Sequence, residues 1–409
     1  MAPYETDDST RAEDADDLRA GPRRSARYVV PVAVVGVAAA TIGLVPALAD
    51  SGNPDLPKIT AQQLIEKIAK SDVQQMSGTV KITTDLGLPN LGGLQNSMAS
   101  AAPRGGSGSS ADPSSKLMEL ASGTHTVRVA TDGQDRQKLS LVESAAEYSL
   151  IHDGKDVWGY DSASDQVFHS TAAQDGGKRH DPAPATPKDF ADQALKAAGD
   201  TTSVTVGGTA QVAGRDAYKL VVKPKQSGST VGAVTIAVDA KTGMPLKFTL
   251  TPASGGAAVV DAGFTKISYA RPAASTFRFT PPKGAKVTEE KDGAHGDHRH
   301  PKGAGPSSHG LLPGMPGEKG AKGGRKVIGK GWNSIAVLDT GSKGGTPSAS
   351  GAKGLGGMLG SLGDPVSGKF GKGTVFSTRL INALMMNDGK IYVGAVTKDA
   401  LVKAADTGH

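Results

Sequence analysis

The sequence predicts a mainly β, α+β fold, and three observations predict it. The first is the stretch Tyr148–His169, which reads as three short strands. One strand ends at His152, a second runs Asp156–Tyr160 with Val157, Trp158 and Tyr160, and a third follows at Gln166–His169. Asp153-Gly154 joins the first two and tolerates the positive φ angles of a tight hairpin. The second observation is alternation: Tyr218, Leu220 and Val222 fall at every second position, as on a half-buried strand. The third is a pair of helices with complete start signals.

The first helix opens at Thr60, with Gln63 as the reciprocal residue of a capping box and Ile59 and Leu64 at the staple positions. Leu64, Ile65, Ile68 and Ala69 form one apolar stripe. The second helix begins at Thr186-Pro187-Lys188-Asp189, with proline at the first helical position and an acid at the third. Phe190, Ala191, Ala194, Leu195 and Ala198 make its apolar side, and Gly199 stops it.

Strands fill the rest of the ordered chain. Ser77–Thr84 places Val80 and Ile82 on one face, and His125–Thr131 and Arg136–Val142 flank the Asp132-Gly133 turn. Further strands are expected at Ser203–Val206, Thr209–Val212, Ala217–Lys223, Ala233–Val238, Leu246–Thr251, Val259–Ser268 and Phe277–Phe279. A last ordered piece spans 327–405, with strands at Trp332–Leu338, Lys372–Ser377 and Lys390–Val396 and a helix at Asp399–Ala405.

Between these elements lie two low-complexity tracts. Residues 86–115 are rich in Gly, Ser, Ala and Leu and read as a flexible insertion, and 288–326 reads as a linker of Lys-Gly and Pro-Gly steps. The 55 glycines and 4% aromatics among 409 residues fit such tracts beside a modest core. About 200–250 residues remain to pack, enough for one β-rich domain.

The N-terminus reads as a targeting segment. Residues 1–27 are polar, acidic first and then basic through Arg19, Arg23, Arg24 and Arg27. Tyr28–Ala49 follows without a charge, about 22 residues and long enough to cross a bilayer. The arginines place the leading side in the cytoplasm. Ala47-Leu48-Ala49 after Pro46 is a small-x-small cleavage pattern, so a cleaved signal and a retained signal anchor are both open. Either way, residues after 50 are expected to be extracytoplasmic.

The chain has no cysteine, which excludes disulfides, cysteine-metal sites and a lipid-bearing lipobox. The net charge of +6 comes mostly from Lys-Gly tracts after residue 280. These suit an anionic polymer or lipid headgroups more than nucleic acid, because no aromatics interleave them for base stacking.

Several motifs then carry a resemblance. Ser77-Gly78-Thr79-Val80 follows the first helix. Asp153-Gly154-Lys155 precedes Trp158, Tyr160 and Asp161. Gly214-Arg215 precedes Ala217, Tyr218 and Leu220, Ile236–Asp239 precedes Thr242-Gly243 and Pro245-Leu246, and Phe277 and Phe279 precede Pro281-Pro282. Over about residues 58–287 the chain resembles the lipoprotein-carrier superfamily of LolA, LolB and RseB. The resemblance implies a strongly curved antiparallel sheet, a half-barrel, with helices over its open face and a small C-terminal extension. It implies a non-catalytic binder of acyl chains of a lipid or lipoprotein. An RseB-like envelope sensor, binding a membrane-bound anti-sigma factor or other partner protein, is the alternative. A structural protein of the cell wall, using its basic tracts, is a third reading. Cavity candidates on that reading are Leu64, Ile65, Ile68, Val80, Ile82, Trp158, Tyr160, Phe190, Leu195 and Tyr218, with Trp158 pointing into the half-barrel or its rim. The membrane itself is a partner if the N-terminal helix is uncleaved. The Ala-, Gly-, Arg- and Asp-rich composition fits a high-GC actinobacterium.

No enzyme is expected. No phosphate-binding, dinucleotide-binding, nucleophile-elbow or zinc-protease motif occurs. Asp132, Asp153, Asp161 and Asp239 sit in turns, where backbone chemistry favours them, though a glycosidase-like carboxylate pair stays open on sequence alone. His295, His298, His300 and His309 cluster in the linker and read as a solvated polar tract, with weak metal capture as the other reading. No catalytic residue, metal site or cofactor is assigned.

Overall fold

The computed structural model describes residues 53–87, 109–113, 116, 119–171, 186–197, 199–290, 325–339 and 363–408. The targeting segment, most of both low-complexity tracts and the four clustered histidines lie outside the described residues. Among the described residues, no helix is long and apolar enough to cross a membrane.

Among the described residues the first element is helix α1, Ala61–Ala69. Its capping box forms as the spacing predicts: the Gln63 N–H donates to Thr60 Oγ1 at 3.2 Å, and the Thr60 N–H donates to Gln63 Oε1 at 2.9 Å. Leu64 and Ile68 are buried, whereas Ala69, assigned to the same stripe, is exposed beside the helix end at Lys70.

Six strands then run as a meander: β1 (Gln75–Thr84), β2 (Gly123–Asp132), β3 (Arg136–Val142), β4 (Glu147–Asp153), β5 (Asp156–Asp161) and β6 (Gln166–Thr171). The Asp153-Gly154 hairpin has Gly154 at φ +66°, the conformation that the sequence signal requires. Helix α2, Pro187–Ala197, leads to a second meander: β7 (Thr202–Val212), β8 (Arg215–Pro224), β9 (Val231–Asp239), β10 (Pro245–Pro252) and β11 (Val260–Ser268). Strand β11 pairs antiparallel with β1 and so joins the two meanders. Strand β12, Lys286–Glu290, adds to β6 in parallel. Among the described residues the result is one twelve-stranded sheet in the order β12-β6-β5-β4-β3-β2-β1-β11-β10-β9-β8-β7. It is open, with β12 and β7 as its edges, and matches the expected mainly β fold of an antiparallel sheet with covering helices.

A second sheet follows. It contains β13 (Arg325–Ile328), β14 (Ile335–Asp339), β15 (Asp364–Gly368), β16 (Gly371–Ser377), β17 (Asn382–Met386) and β18 (Lys390–Gly394). Their order is β13-β14-β18-β17-β16-β15. Helix α3, Lys398–Thr407, packs its buried Leu401, Ala404 and Ala405 into that sheet's own core with Leu384, Met386 and Tyr392. Among the described residues, Trp332, Leu380 and Ala395 of this part are buried in the first sheet's core instead, and Ile381 packs against it. The Trp332 indole N–H donates to Thr202 Oγ1 at 2.8 Å, and the Thr230 N–H donates to the Ala395 carbonyl at 3.0 Å. Arg379 reaches Asp85 with a charge-assisted bond of 2.7 Å.

Three expectations need correction, and one strand lies outside them. The two strands expected over 203–212 are one strand, β7, with a bulge between Val206 and Thr209. Gly207-Gly208 permits it, Gly208 at φ +98°. Phe277–Phe279 is not a strand, since Pro272, Pro281 and Pro282 around it offer no N–H to a ladder. Trp332 lies in a 3-10 turn, Gly331–Asn333, and its strand starts only at Ile335. Strand β12 was not foreseen; of its residues Lys286–Glu290 only Val287 is apolar, so no periodicity marks it.

Candidate functional site

Cross-strand partners share a face of a sheet, so the register decides what each candidate residue faces. Val80 pairs with Val127, Val127 with Leu141, and Leu141 with Tyr148. On the other side, Val80 pairs with Phe264 across a bulge. All of these are buried in one cluster with Ile82, Leu220, Ile236 and Phe248. This is the apolar face that the helices cover. Leu64 and Ile68 of α1 and Phe190 of α2 are buried in the same cluster, Ile65 and Leu195 pack against it, and Tyr218 belongs to it. Phe190 stacks on Phe248 with ring centroids 5.1 Å apart. Leu64, Val80 and Ile82 are 0% exposed, so no water-sized void lies against them. Eight of the ten candidates therefore meet on one side of the sheet, and there they form a closed, packed surface.

Trp158 and Tyr160 do not join them, so of the two placements expected for Trp158, into the half-barrel or at its rim, the first is not observed. Gly159, between them, is the β5 residue that faces inward, since a Cβ there would overlap the Ala111 carbonyl oxygen. Trp158 and Tyr160 therefore point to the outer face, where Phe279 lies 5.6 Å from each ring. The superfamily motif correctly marks a strand here, but a period of two cannot tell which face receives the helices.

The inner face of β4–β6 is covered by the end of the first low-complexity tract. The Ser109 hydroxyl donates to Gln166 Oε1 at 3.1 Å and the Tyr148 hydroxyl donates to the Ala111 carbonyl at 3.2 Å. Lys116 pairs with Glu143 at 2.9 Å and lies 3.9 Å from Asp161. Burial, the largest influence on the Lys116 ammonium, would lower its pKa, yet the Glu143 hydrogen bond and the carboxylates around it raise it above the usual lysine value.

Two polar sites flank this scaffold, and neither was read from the sequence. On the outer face His169 stacks on Trp158, centroids 3.7 Å apart, between two carboxylates. Its Nε2 lies 3.0 Å from Asp156 and its Nδ1 2.7 Å from Glu289 of β12. Burial, the largest influence, would lower the imidazole pKa, but the hydrogen bonds and charges of Asp156 and Glu289 raise it above the ordinary histidine value. A raised value in the folded state stabilises the docking of β12 fully below the ordinary histidine pKa. That contribution is lost as pH rises through the raised value. In an NMR titration the His169 midpoint is expected above 6.5 and is expected to fall in Glu289→Gln; an unchanged midpoint would show that β12 is not clamped there.

The second site is a groove of about 590 Å³ along the solvent side of α1, between that helix, the residues before it and the β9–β10 turn. Lys58, Lys67, Lys70, Lys241, Glu66 and Tyr218 line it. No sequence signal joins Lys58 to Lys241; the turn at Gly243 brings them together. Among the described residues, no group of three histidine or acidic side chains converges to hold a metal ion.

The geometry defines an open-sheet scaffold with one apolar face closed by short helices. No family model and no curated protein matches the chain. Solved structures do. A chain of the Pseudomonas aeruginosa MucA/MucB complex is similar at 15% identity, covering 84% of this chain and 96% of that one, with a TM-score of 0.39. A LolA superfamily protein from Nitrosomonas europaea is similar at 13% identity over 54% of this chain and 99% of its own, with a TM-score of 0.21. An uncharacterized conserved protein from Thermus thermophilus gives 13% identity, 56% and 99% coverage and a TM-score of 0.30.

Proposed function

We propose that this chain is an exported, non-catalytic binding protein that holds acyl chains of a lipid or lipoprotein against its helix-covered face. The observation that carries the reading is the way this face is closed. Helix α1 has only nine residues, too few to be stable alone, so its position depends on Leu64 and Ile68 packing inward. Lifting those two side chains costs roughly 3–6 kcal/mol, and each acyl methylene buried in their place contributes about 0.8 kcal/mol. Exchange of like for like supports reversible opening without any chemical step.

Gly243 offers the test. It has φ +76°, and a Cβ there would overlap the Lys67 carbonyl oxygen of α1. Gly243→Ala should lower stability, speed amide exchange in α1 and increase uptake of a fluorescent fatty acid. Faster exchange in α1 with no uptake by either protein would sink the acyl-chain reading.

A second reading, an RseB-like sensor for a membrane-bound partner protein, draws support from the second sheet. That sheet has its own core and an exposed apolar residue, Val327 at 60%, on its edge strand β13. Retention of a membrane protein, rather than extractable lipid, on the full chain would favour it.

A further inference from the structure

The groove beside α1 is a site that the acyl-chain reading does not use. Four lysines and one glutamate line it, and Glu66 lies 4.0 Å from Lys70. Among the described residues, Lys58, Lys67 and Lys241 have no carboxylate within ion-pair distance. Asp239, the acid of the adjoining turn, is spent internally: Arg215 and the N–H groups of Lys241 and Thr242 hold it. The groove therefore carries a net positive charge, four lysines against one glutamate, which concentrates anions.

Its position gives the anion a chemistry. Tyr218 on its wall belongs to the apolar cluster, and Ile59 on its rim packs against that cluster. Helix α1 borders both surfaces, with Leu64 and Ile68 inward and Lys67 and Lys70 on the groove side. An α-helix with its side chains is about 10–12 Å across, a distance that one amphiphile spans.

We propose that this groove is the headgroup subsite of the acyl-chain site, taking the phosphate of an anionic amphiphile whose tail lies under α1; this rests on the reading above. Lys58 and Lys241 approach from the two walls as charge-assisted donors, and the helix between head and tail sets the register of the ligand.

The test is equilibrium binding to the full chain of three oleoyl amphiphiles, lysophosphatidic acid, lysophosphatidylcholine and monoolein, with glycerol phosphate alone as a fourth probe. Lysophosphatidic acid should bind about tenfold or more tighter than monoolein, the scale of one or two charge-assisted bonds. Lys58→Glu with Lys241→Glu should remove that preference and leave monoolein within about twofold. Lys58→Ala with Lys241→Ala should give a smaller loss in the same direction, and serves if charge reversal unfolds the chain. Equal binding of all three amphiphiles, unchanged by the substitutions, overturns the headgroup site and leaves the acyl-chain reading standing. Binding of none overturns both. Glycerol phosphate binding as tightly as lysophosphatidic acid would make the groove a free-phosphate site and overturn the headgroup assignment.

Discussion

Replacing Asp239 with alanine is expected to cost about 3–5 kcal/mol of folding stability, the scale for removing one partner of a buried ion pair. The Asp239 side chain is 1% exposed and is paired with Arg215 Nε. It also accepts N–H bonds from Lys241 at 2.8 Å and Thr242 at 2.9 Å, which shape the turn that brings Gly243 against α1. The Arg215 guanidinium in turn lies 4.5 Å over the Tyr269 ring. Burial is the largest influence on the Asp239 carboxyl and would raise its pKa, but the hydrogen bonds from Arg215, Thr242 and Lys241 outweigh it and hold the value below the usual aspartate range. A depressed value contributes stability above the unfolded pKa, and that stability is lost as pH falls through the folded one. Urea denaturation should therefore show the gap between wild type and Asp239→Asn at full size near neutral pH, closing in strongly acidic solution. A gap that stays constant across that range would mean that the carboxylate is not held as described.

Trp332→Ala is the second large effect, about 3–5 kcal/mol for a buried aromatic deleted from a core. Trp332 is 2% exposed and sits in the first sheet's cluster, although its neighbours in sequence build the second sheet. The substitution leaves a cavity there and deprives the Thr202 hydroxyl of the indole N–H. Limited proteolysis should then separate the second sheet from the first, while Val327→Ser, at an exposed edge position, should stay within about 0.5 kcal/mol of wild type. Equal stability of the two variants, with one shared cleavage pattern, would show that Trp332 does not couple the sheets.

Local chemistry made part of this protein legible from its residues. The capping box at Thr60 and Gln63 needs only contacts three residues apart, and the Asp153-Gly154 hairpin needs only one backbone angle. Both formed as read. Alternation identified the strands around Val80, Tyr148 and Tyr218 because burial on one face repeats every second residue. That Trp158 faces outward was decided by the tertiary structure. Strand β5 is flanked by apolar contacts on both faces, and which face is inner depends on the docking of Ala111, far away in sequence. Strand β12 exists because β6 offers an unpaired edge and His169 offers Glu289 a partner, not because KVTEE favours a strand. Two buried links between the sheets, Trp332 and Leu380, come from segments that carry no regular strand of their own. In each case the deciding energy lies in contacts between residues distant in the chain, where spacing and propensity hold no record of the partner.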